Sequence, residues 1–551
     1  MRLIERRIGF LFAVFLTLLA LGVVRAGWLG VVKAGTLKQA AVTQQEANLA
    51  VPARRGTIVD REGTELAVSQ PAVTIAATPY LVEDAPAVAA RLSRVLRKPE
   101  DELLRQLARR DTGFAYVARH VRPARARRVQ RMEIAGLEFI PEFQRIYPRE
   151  WMASQLLGVT GTDGNGLAGL EYSLDEHLAG QDGARRLTKD ALGDAIELRE
   201  TARTVPGTHV QLTLDANVQD RAEEILAEVG EEWKPKGATA IVMDPRDGGI
   251  LALASWPRVN ANALGDAPGY ARQNRAIGAT YEPGSTFKAF TVAAALEEDE
   301  VTPNTSFDVP PTIKVADREI GEAHDAGYRR LTTRQILEQS SNVGSIMIGQ
   351  RLGAEHFDRW VRRFGFGSPT GIDLPGEEQG ILLDLDDYSG SSMGNLPIGQ
   401  GLAVTPMQMA VGYAAIANGG ILRPPHVVER VGARAARKPE GHRVISEATA
   451  ASVRRMLEGV TGPGGTASGA AIQGYVLGGK TGTAEKPDEY GGYSKTKFVS
   501  SFVGFAPAKR PKLLVAVMVD EPHGDIYGGT VAAPAFQRIT SFALNYLRIA
   551  P

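Results

Sequence analysis

Ser285 and Lys288 stand three residues apart in "YEPGSTFKAF", directly after a Pro-Gly pair. On a helix that spacing puts a hydroxyl and an amine on one face, and a helix N-terminus favours negative charge developing beside it. Serine is a weak nucleophile until a base takes its proton. The chain's eight histidines fall in no recognisable triad signature, so the candidate base is Lys288. Its pKa must then fall from about 10.4 toward neutrality, and three units correspond to about 4 kcal/mol. Burial and a neighbouring cation both push a lysine that way. The pattern is cheap, however. A serine capping a helix with a surface lysine one turn on fits the same text, and Ser-x-x-Lys recurs at Ser494 to Lys497 in "DEYGGYSKTK", read as a loop between strands.

Two further stretches separate the copies. "EQSSNVGS" supplies Ser340, Ser341 and Asn342 within helical text, and "LGGKTGTAEK" supplies Lys480, Thr481, Gly482 and Thr483 ahead of the last strands. The order serine-lysine, serine-asparagine, lysine-threonine-glycine is specific where each piece alone is not.

The elements that must position these residues are legible in outline. Ser285 opens the fourteen-residue helical stretch "STFKAFTVAAALEE". Upstream, "VQLTL" reads as a strand, Asp215 as an N-cap, and Val218, Ala222, Ile225, Leu226 and Val229 as one buried helix face ending at Gly230. "GATAIVMD" and "GILALAS" around "PRDG" predict a hairpin. "TPMQMAVGYAAIANGG" predicts a helix capped by Thr405, with Pro406 in its first turn and Asn418-Gly419 as its stop. Paired strands "FVSSFVGFAP" and "KLLVAVMVD" and a final helix follow. Such text suits an antiparallel sheet with helices packed on it, an α+β fold.

At 551 residues, with 44% hydrophobic and 23% charged side chains, the chain has material for several packed domains. Lys plus Arg balance Asp plus Glu at 63 each, so net charge does not argue for nucleic acid. Cysteine is absent, which excludes disulfides, thiolate chemistry and cysteine metal sites. No HExxH, EF-hand or phosphate-loop pattern is found, and neither a metal nor a cofactor is expected. A seventeen-residue run from Ile8 to Val24 carries no charge, and Arg2, Arg6 and Arg7 outweigh Arg25 beyond it. That predicts one transmembrane helix with a cytoplasmic N-terminus and the rest of the chain outside. The competing reading is a cleaved signal peptide, for which the run is long and "VVRAGWLG" offers no clear small-x-small cleavage site. The expected division is a tail at 1–7, a membrane helix at 8–25, a mixed N-terminal module at 26–205 and the catalytic domain at 206–551. A polar helix is expected before Pro52. The arginine-rich "RPARARRVQRM" is read as a solvated helix face, with a contact surface for a partner as the other reading.

With the three motifs in this order, and with "GATYEPGSTFK", "PIGQGLAVTPMQMAVGYAAIANGG" and "SFVGFAPAKRPKLLVAVMVDEP" agreeing, the chain resembles a penicillin-binding protein of the serine acyltransferase superfamily that includes the β-lactamases. "RRGTIVDREGTELA", "RIYP" and the lack of a glycosyltransferase domain resemble the monofunctional class B, and "DIYGGTVAAPAF" the division-specific FtsI-type branch, with elongation-specific enzymes close by. The resemblance implies a β-lactamase/transpeptidase-like domain on a pedestal of the penicillin-binding protein dimerisation type. The implied activity is β-lactam-sensitive crosslinking of peptidoglycan stem peptides through an acyl-enzyme formed at D-Ala-D-Ala.

It also implies roles. Ser285 is the nucleophile and Lys288 its base. Ser340 and Lys480 pass a proton to the leaving D-alanine, and Asn342 holds the peptide amide. Thr481 and Thr483 grip the terminal carboxylate, and Gly482 leaves the strand bare for substrate. The backbone N–H groups of Ser285 and Thr483 form the oxyanion hole, each such donor being worth about 2.7 to 4 kcal/mol of barrier. The implied partners are a membrane-embedded glycan polymerase and other division proteins, and the implied place is the division site of a bacterial membrane. A β-lactamase or drug sensor would use the same serine and lysine, and a silent scaffold would keep the pedestal without turnover.

Overall fold

The computed structural model describes residues 2–32, 46–189, 195–324, 326–462, 464–488 and 492–551. Helix Arg2–Gly27, whose most apolar 18-residue window has a mean hydropathy of 2.3 with none of it buried, contains a 22-residue candidate span, Arg6–Gly27. At 1.5 Å per residue that is about 33 Å, enough for a hydrocarbon core of about 30 Å.

Backbone contacts divide the remainder otherwise than by one cut near residue 205. One compact unit holds 1–54, 71–143 and 180–206; the other holds 55–70, 144–179 and 207–551. Charge ties the two early segments to each other, and strand pairing of Ile58 with Val210 ties them to the later chain. The fully buried Glu171 carboxylate takes Arg55 Nε on one oxygen and Arg145 Nε on the other, each at 2.6 Å, with both arginines under 7% exposed. Arg145 also donates to Gly56 O at 2.8 Å. "RRGT", "RIYP" and "GLEY" are thus three ends of one buried ion cluster.

In the first unit, strands Glu46–Val51, Gly183–Lys189 and Ala195–Ala202 form an antiparallel sheet. The polar helix expected before Pro52 is therefore a strand from Glu46 onward, and its earlier part lies outside the described residues. Separately, helices Ala85–Leu96, Glu100–Leu107 and Pro123–Gln130 bury Leu92, Leu103, Leu107 and Val129 completely. The last of these carries the arginine-rich segment with only Ala126 and Val129 inside, so Arg127 and Arg128 are solvated.

The second unit is built on a five-stranded antiparallel sheet. Its strands are β1 (Gly237–Met243), β2 (Ile250–Trp256), β3 (Gly478–Pro487), β4 (Tyr493–Ala506) and β5 (Leu513–Asp520), in the order β2-β1-β5-β4-β3. β3 is an edge strand. Helices α1 (Ala216–Trp233) and α6 (Ala533–Tyr546) pack together against the sheet, while α2 (Lys288–Glu297), α3 (Asn342–Leu352), α4 (Pro406–Ala417) and α5 (Glu447–Thr461) form a second helical layer. Asp215 caps α1 as expected, accepting from the Asn217 and Val218 N–H groups. α1 does not stop at Gly230. A Cβ there would stand 2.2 Å from the Trp256 indole, so the glycine marks a close helix-to-strand approach rather than a terminus.

α2 runs through the middle of this layer and is buried from Lys288 to Ala295. Phe287 and Phe290 at its start lock into Phe364, Phe366 and Tyr413 at ring-centroid distances of 4.9 to 5.4 Å. Such aromatic packing fixes the helix that carries the lysine, each pair being worth about 0.5–1.5 kcal/mol beyond its area.

Candidate active site

The chain enters α2 through a 3-10 turn, Gly284–Phe287. With three residues per turn, positions i and i+3 eclipse, so Ser285 and Lys288 are stacked more directly than on an α-helix. Pro283 and not Ser285 stands at the N-cap of this turn, which removes the cap reading. The second Ser-x-x-Lys copy begins β4 instead of lying in a loop, and on a strand residues three apart point to opposite faces.

The Lys288 amine is fully buried and donates to Ser340 O at 2.7 Å, Asn342 Oδ1 at 2.6 Å and Ser340 Oγ at 3.3 Å. Burial pushes its pKa down to about 7, against the opposing pull of the Glu322 carboxylate. A buried amine near half-protonation at neutral pH can both take and return a proton.

"EQSSNVGS" is not continuous helix. Helix Thr333–Glu338 ends at its first residue, Ser340 sits in the left-handed region at φ +61°, and Ser341 caps α3 by accepting from Gly344 N–H at 2.9 Å. The break is what turns Ser340 O and Asn342 Oδ1 toward Lys288. Asn342 also donates from Nδ2 to Gly321 O at 3.1 Å, so its amide is already engaged at both ends.

On β3 the alternate residues Thr481, Thr483 and Glu485 line the same cavity as Ser285, Ser340 and Asn342, a space of about 720 Å³. Thr483 Oγ1 accepts from Gly528 N–H at 3.1 Å, and Thr481 Oγ1 lies 3.1 Å from Thr466 Oγ1. Lys480, fully buried, turns back to its own strand, donating to Thr481 O at 3.2 Å and Thr481 Oγ1 at 3.3 Å. No hydrogen bond joins it to Ser340 among the described residues. Burial, and then the charge of Lys288, hold its pKa well below the ordinary lysine value.

Gly482 is needed for a different reason than expected. A Cβ there would meet Ser501 Oγ at 2.4 Å, Pro283 O at 2.9 Å and Thr286 Cγ2 at 2.9 Å, all on the inner side of the strand. The bare position lets the nucleophile turn press against β3. Gly284, at φ +54°, completes the approach, since a Cβ on it would stand 2.9 Å from Thr483 O. The backbones of Ser285 and Thr483 are thereby brought side by side.

Sequence reasoning missed two parts of this site. Glu322 binds Ser341 and Asn342 from 19 and 20 residues upstream, a pairing no local pattern announces. Glu282, just before the turn, accepts from Tyr493 OH at 3.0 Å and Gly401 N–H at 3.1 Å, and burial raises its pKa. Its neighbour Pro283 marked the turn, but not its ties to β4.

Comparison with known proteins follows the same outline. Residues 238–541 match the penicillin binding protein transpeptidase domain, and residues 50–212 the penicillin-binding protein dimerisation domain. The chain is 34% identical over 552 residues to the probable peptidoglycan D,D-transpeptidase PenA of Neisseria gonorrhoeae, covering 99% of this chain and 93% of that one. Peptidoglycan D,D-transpeptidase FtsI of Escherichia coli K12 is 33% identical over 561 residues, with 100% and 93% covered, and stage V sporulation protein D of Bacillus subtilis is 33% identical over 541, with 96% and 83% covered. Among solved structures, penicillin binding protein 3 of Mycobacterium tuberculosis superposes with a TM-score of 0.72 at 28% identity, covering 91% of this chain and 98% of that one. Penicillin binding protein 2X of Streptococcus thermophilus gives 0.75 at 26%, with 91% and 80% covered. With both domains matched and full-length relatives at a third identity, the chain belongs to the class B penicillin-binding proteins.

Proposed function

We propose that this class B peptidoglycan D,D-transpeptidase works in septal cell-wall synthesis, with Ser285 as nucleophile and Lys288 as base. The observation that carries the chemistry is a buried lysine with a pKa of about 7, stacked one 3-10 turn from a serine that lines the cavity. Ser285 Oγ attacks the carbonyl of the penultimate D-alanine as its proton passes to Lys288 Nζ. The oxyanion sits between the N–H groups of Ser285 and Thr483. Collapse breaks the C–N bond, and the proton returns to the leaving D-alanine by way of Ser340 Oγ, 3.3 Å from the lysine. An acceptor amine then attacks the ester, forms the crosslink and frees the serine. Thr481 and Thr483 hydroxyls bind the terminal carboxylate, with Lys480 behind them donating to Thr481 O and Oγ1. β-Lactams acylate the same serine.

The assignment to division rests on the "DIYGGTVAAPAF" ending and on the full-length likeness to FtsI. In this reading Arg2–Gly27 anchors the chain with its N-terminus in the cytoplasm, the rest of the first compact unit belongs to the pedestal, and the second unit carries the chemistry outside the membrane beside a glycan polymerase. Intact-mass spectrometry of the detergent-solubilised chain with a β-lactam, beside Ser285→Ala, tests the chemistry: a stable adduct absent from the variant is expected, and a folded wild type that stays unmodified overturns it. Depletion in the native host tests the role. Filaments with unfinished septa support division, whereas rounded cells identify an elongation enzyme.

A further inference from the structure

Glu322 follows the strand Arg318–Gly321, with its side chain only 6% exposed. One oxygen accepts from the Ser341 hydroxyl, the other from Asn342 N–H at 2.7 Å, and Arg329 Nη2 closes on the first at 3.2 Å. A carboxylate at the start of α3 is favoured by the exposed N–H groups there. This one does more than cap. The Ser341 hydroxyl has one proton, and donating it to Glu322 leaves its oxygen free to accept from Gly344 N–H.

Asn342 is held twice by the same short segment, at its backbone N–H by Glu322 and at Nδ2 by Gly321 O. Its Oδ1 is then the end left for Lys288. Directly before these clamped residues stands Ser340 in a left-handed conformation that a side-chain-bearing residue adopts at a cost and keeps only when its surroundings enforce it. Its carbonyl is the second acceptor for the Lys288 amine.

We propose that Glu322 is a positioning residue for acylation: by holding Ser341 and Asn342 it fixes the Ser340-Asn342 turn into which the Lys288 amine is seated, and its charge balances that amine. The inference rests on the reading of Lys288 as base. The charged groups facing Lys288 are Glu322 from the strand-loop segment and Lys480 from β3, with Arg329 pairing the far side of Glu322. Of these, Glu322 alone favours the protonated amine.

The test is the pH profile of acylation by a fluorescent penicillin, on the full chain in detergent, for wild type, Glu322→Gln and Glu322→Asp. Glutamine keeps the size but loses the charge and one acceptor. Its plateau rate is expected to fall about 10- to 100-fold, the usual cost of a misplaced catalytic group, and the midpoint of its acid limb to move to lower pH. Aspartate keeps the charge on a shorter arm, so its plateau falls while its midpoint stays. A merely structural role would lower the plateau and thermal stability and leave the glutamine midpoint where it was, which overturns the proposal. An unchanged plateau in both folded variants overturns it too. If glutamine prevents folding, the aspartate variant decides: a reduced plateau at unchanged thermal stability supports positioning, whereas an unreduced plateau, or one that falls only in step with thermal stability, refutes it. Failure of wild type to acylate at any pH would instead sink the reading of Ser285 and Lys288, a separable result.

Discussion

Lys288 Nζ and Asn342 Oδ1 meet at 2.6 Å across the junction of α2 and α3, and the amide oxygen is one of three acceptors around a single buried amine. Three acceptors suit a charged ammonium; complete burial opposes it. The balance leaves an amine that exchanges its proton near neutral pH.

The acylation rate should follow that proton. Burial depresses the lysine pKa in the folded protein, so the reactive neutral form gains as pH rises. Below about 7 the rate climbs roughly tenfold per pH unit, and above it the profile flattens. Stopped-flow measurement with a chromogenic β-lactam between pH 5 and 9 checks this, and Lys288→Met should remove the reaction at every pH.

Ser340→Gly separates stability from activity. Glycine adopts φ +61° without steric strain. Relief of the left-handed conformation is expected to raise stability by up to about 1 kcal/mol, while loss of the hydroxyl lowers acylation at least tenfold. Calorimetry and acylation kinetics on the same preparation read both effects.

Gly482→Ala should loosen the seat of the nucleophile. The added methyl collides with Ser501 Oγ and crowds Pro283 O and Thr286, an overpacking cost of about 1–3 kcal/mol. Acylation falls with it because the nucleophile turn is pushed off β3. Adding Ser501→Gly removes the shortest contact, so the double variant recovers part of the lost stability and rate.

Glu171→Ala leaves the buried Arg145 guanidinium without its countercharge and Arg55 with only the part-exposed Asp175. Breaking such a cluster costs about 3–5 kcal/mol. The melting temperature of the second unit should drop sharply, far more than for loss of an exposed pair such as Arg105 with Asp101.

Sequence order carried much of this site. Ser285, Ser340, Asn342, Thr481 and Thr483, singled out by the order of three motifs, line one cavity with the Lys288 amine buried against two of them, and the Thr405 capping box and the Asp215 cap formed where text placed them. The misses share a cause. Gly230 reads as a helix stop because glycine disfavours helix, yet the Trp256 ring across the packing interface needs the space. Glu46–Val51 has polar text but finds a strand partner at Gly183–Lys189, over a hundred residues away. Glu322, Arg55 and Glu171 matter through contacts with distant segments, and a single sequence lists residues without their neighbours. Gly482 reads from the sequence as a bare place for substrate, and the structure adds that Ser501, Pro283 and Thr286 fill the space its side chain would need, because β-strand alternation tells that two faces exist and not which one meets the core.

The edge position of β3 has a cost that the folded protein carries until it meets its ligand. One side of this strand is hydrogen-bonded to β4 and the other faces the cavity, so its outward amides and carbonyls resemble the rim that other proteins hide to avoid sticking to one another. A peptide lying along Thr481 to Glu485 would finish the sheet as a sixth strand. Occupancy then is a folding event as much as a binding event: an acylated protein should resist heat and aggregation better than the empty one, and a strand-shaped peptide lacking any reactive carbonyl should give part of the same protection.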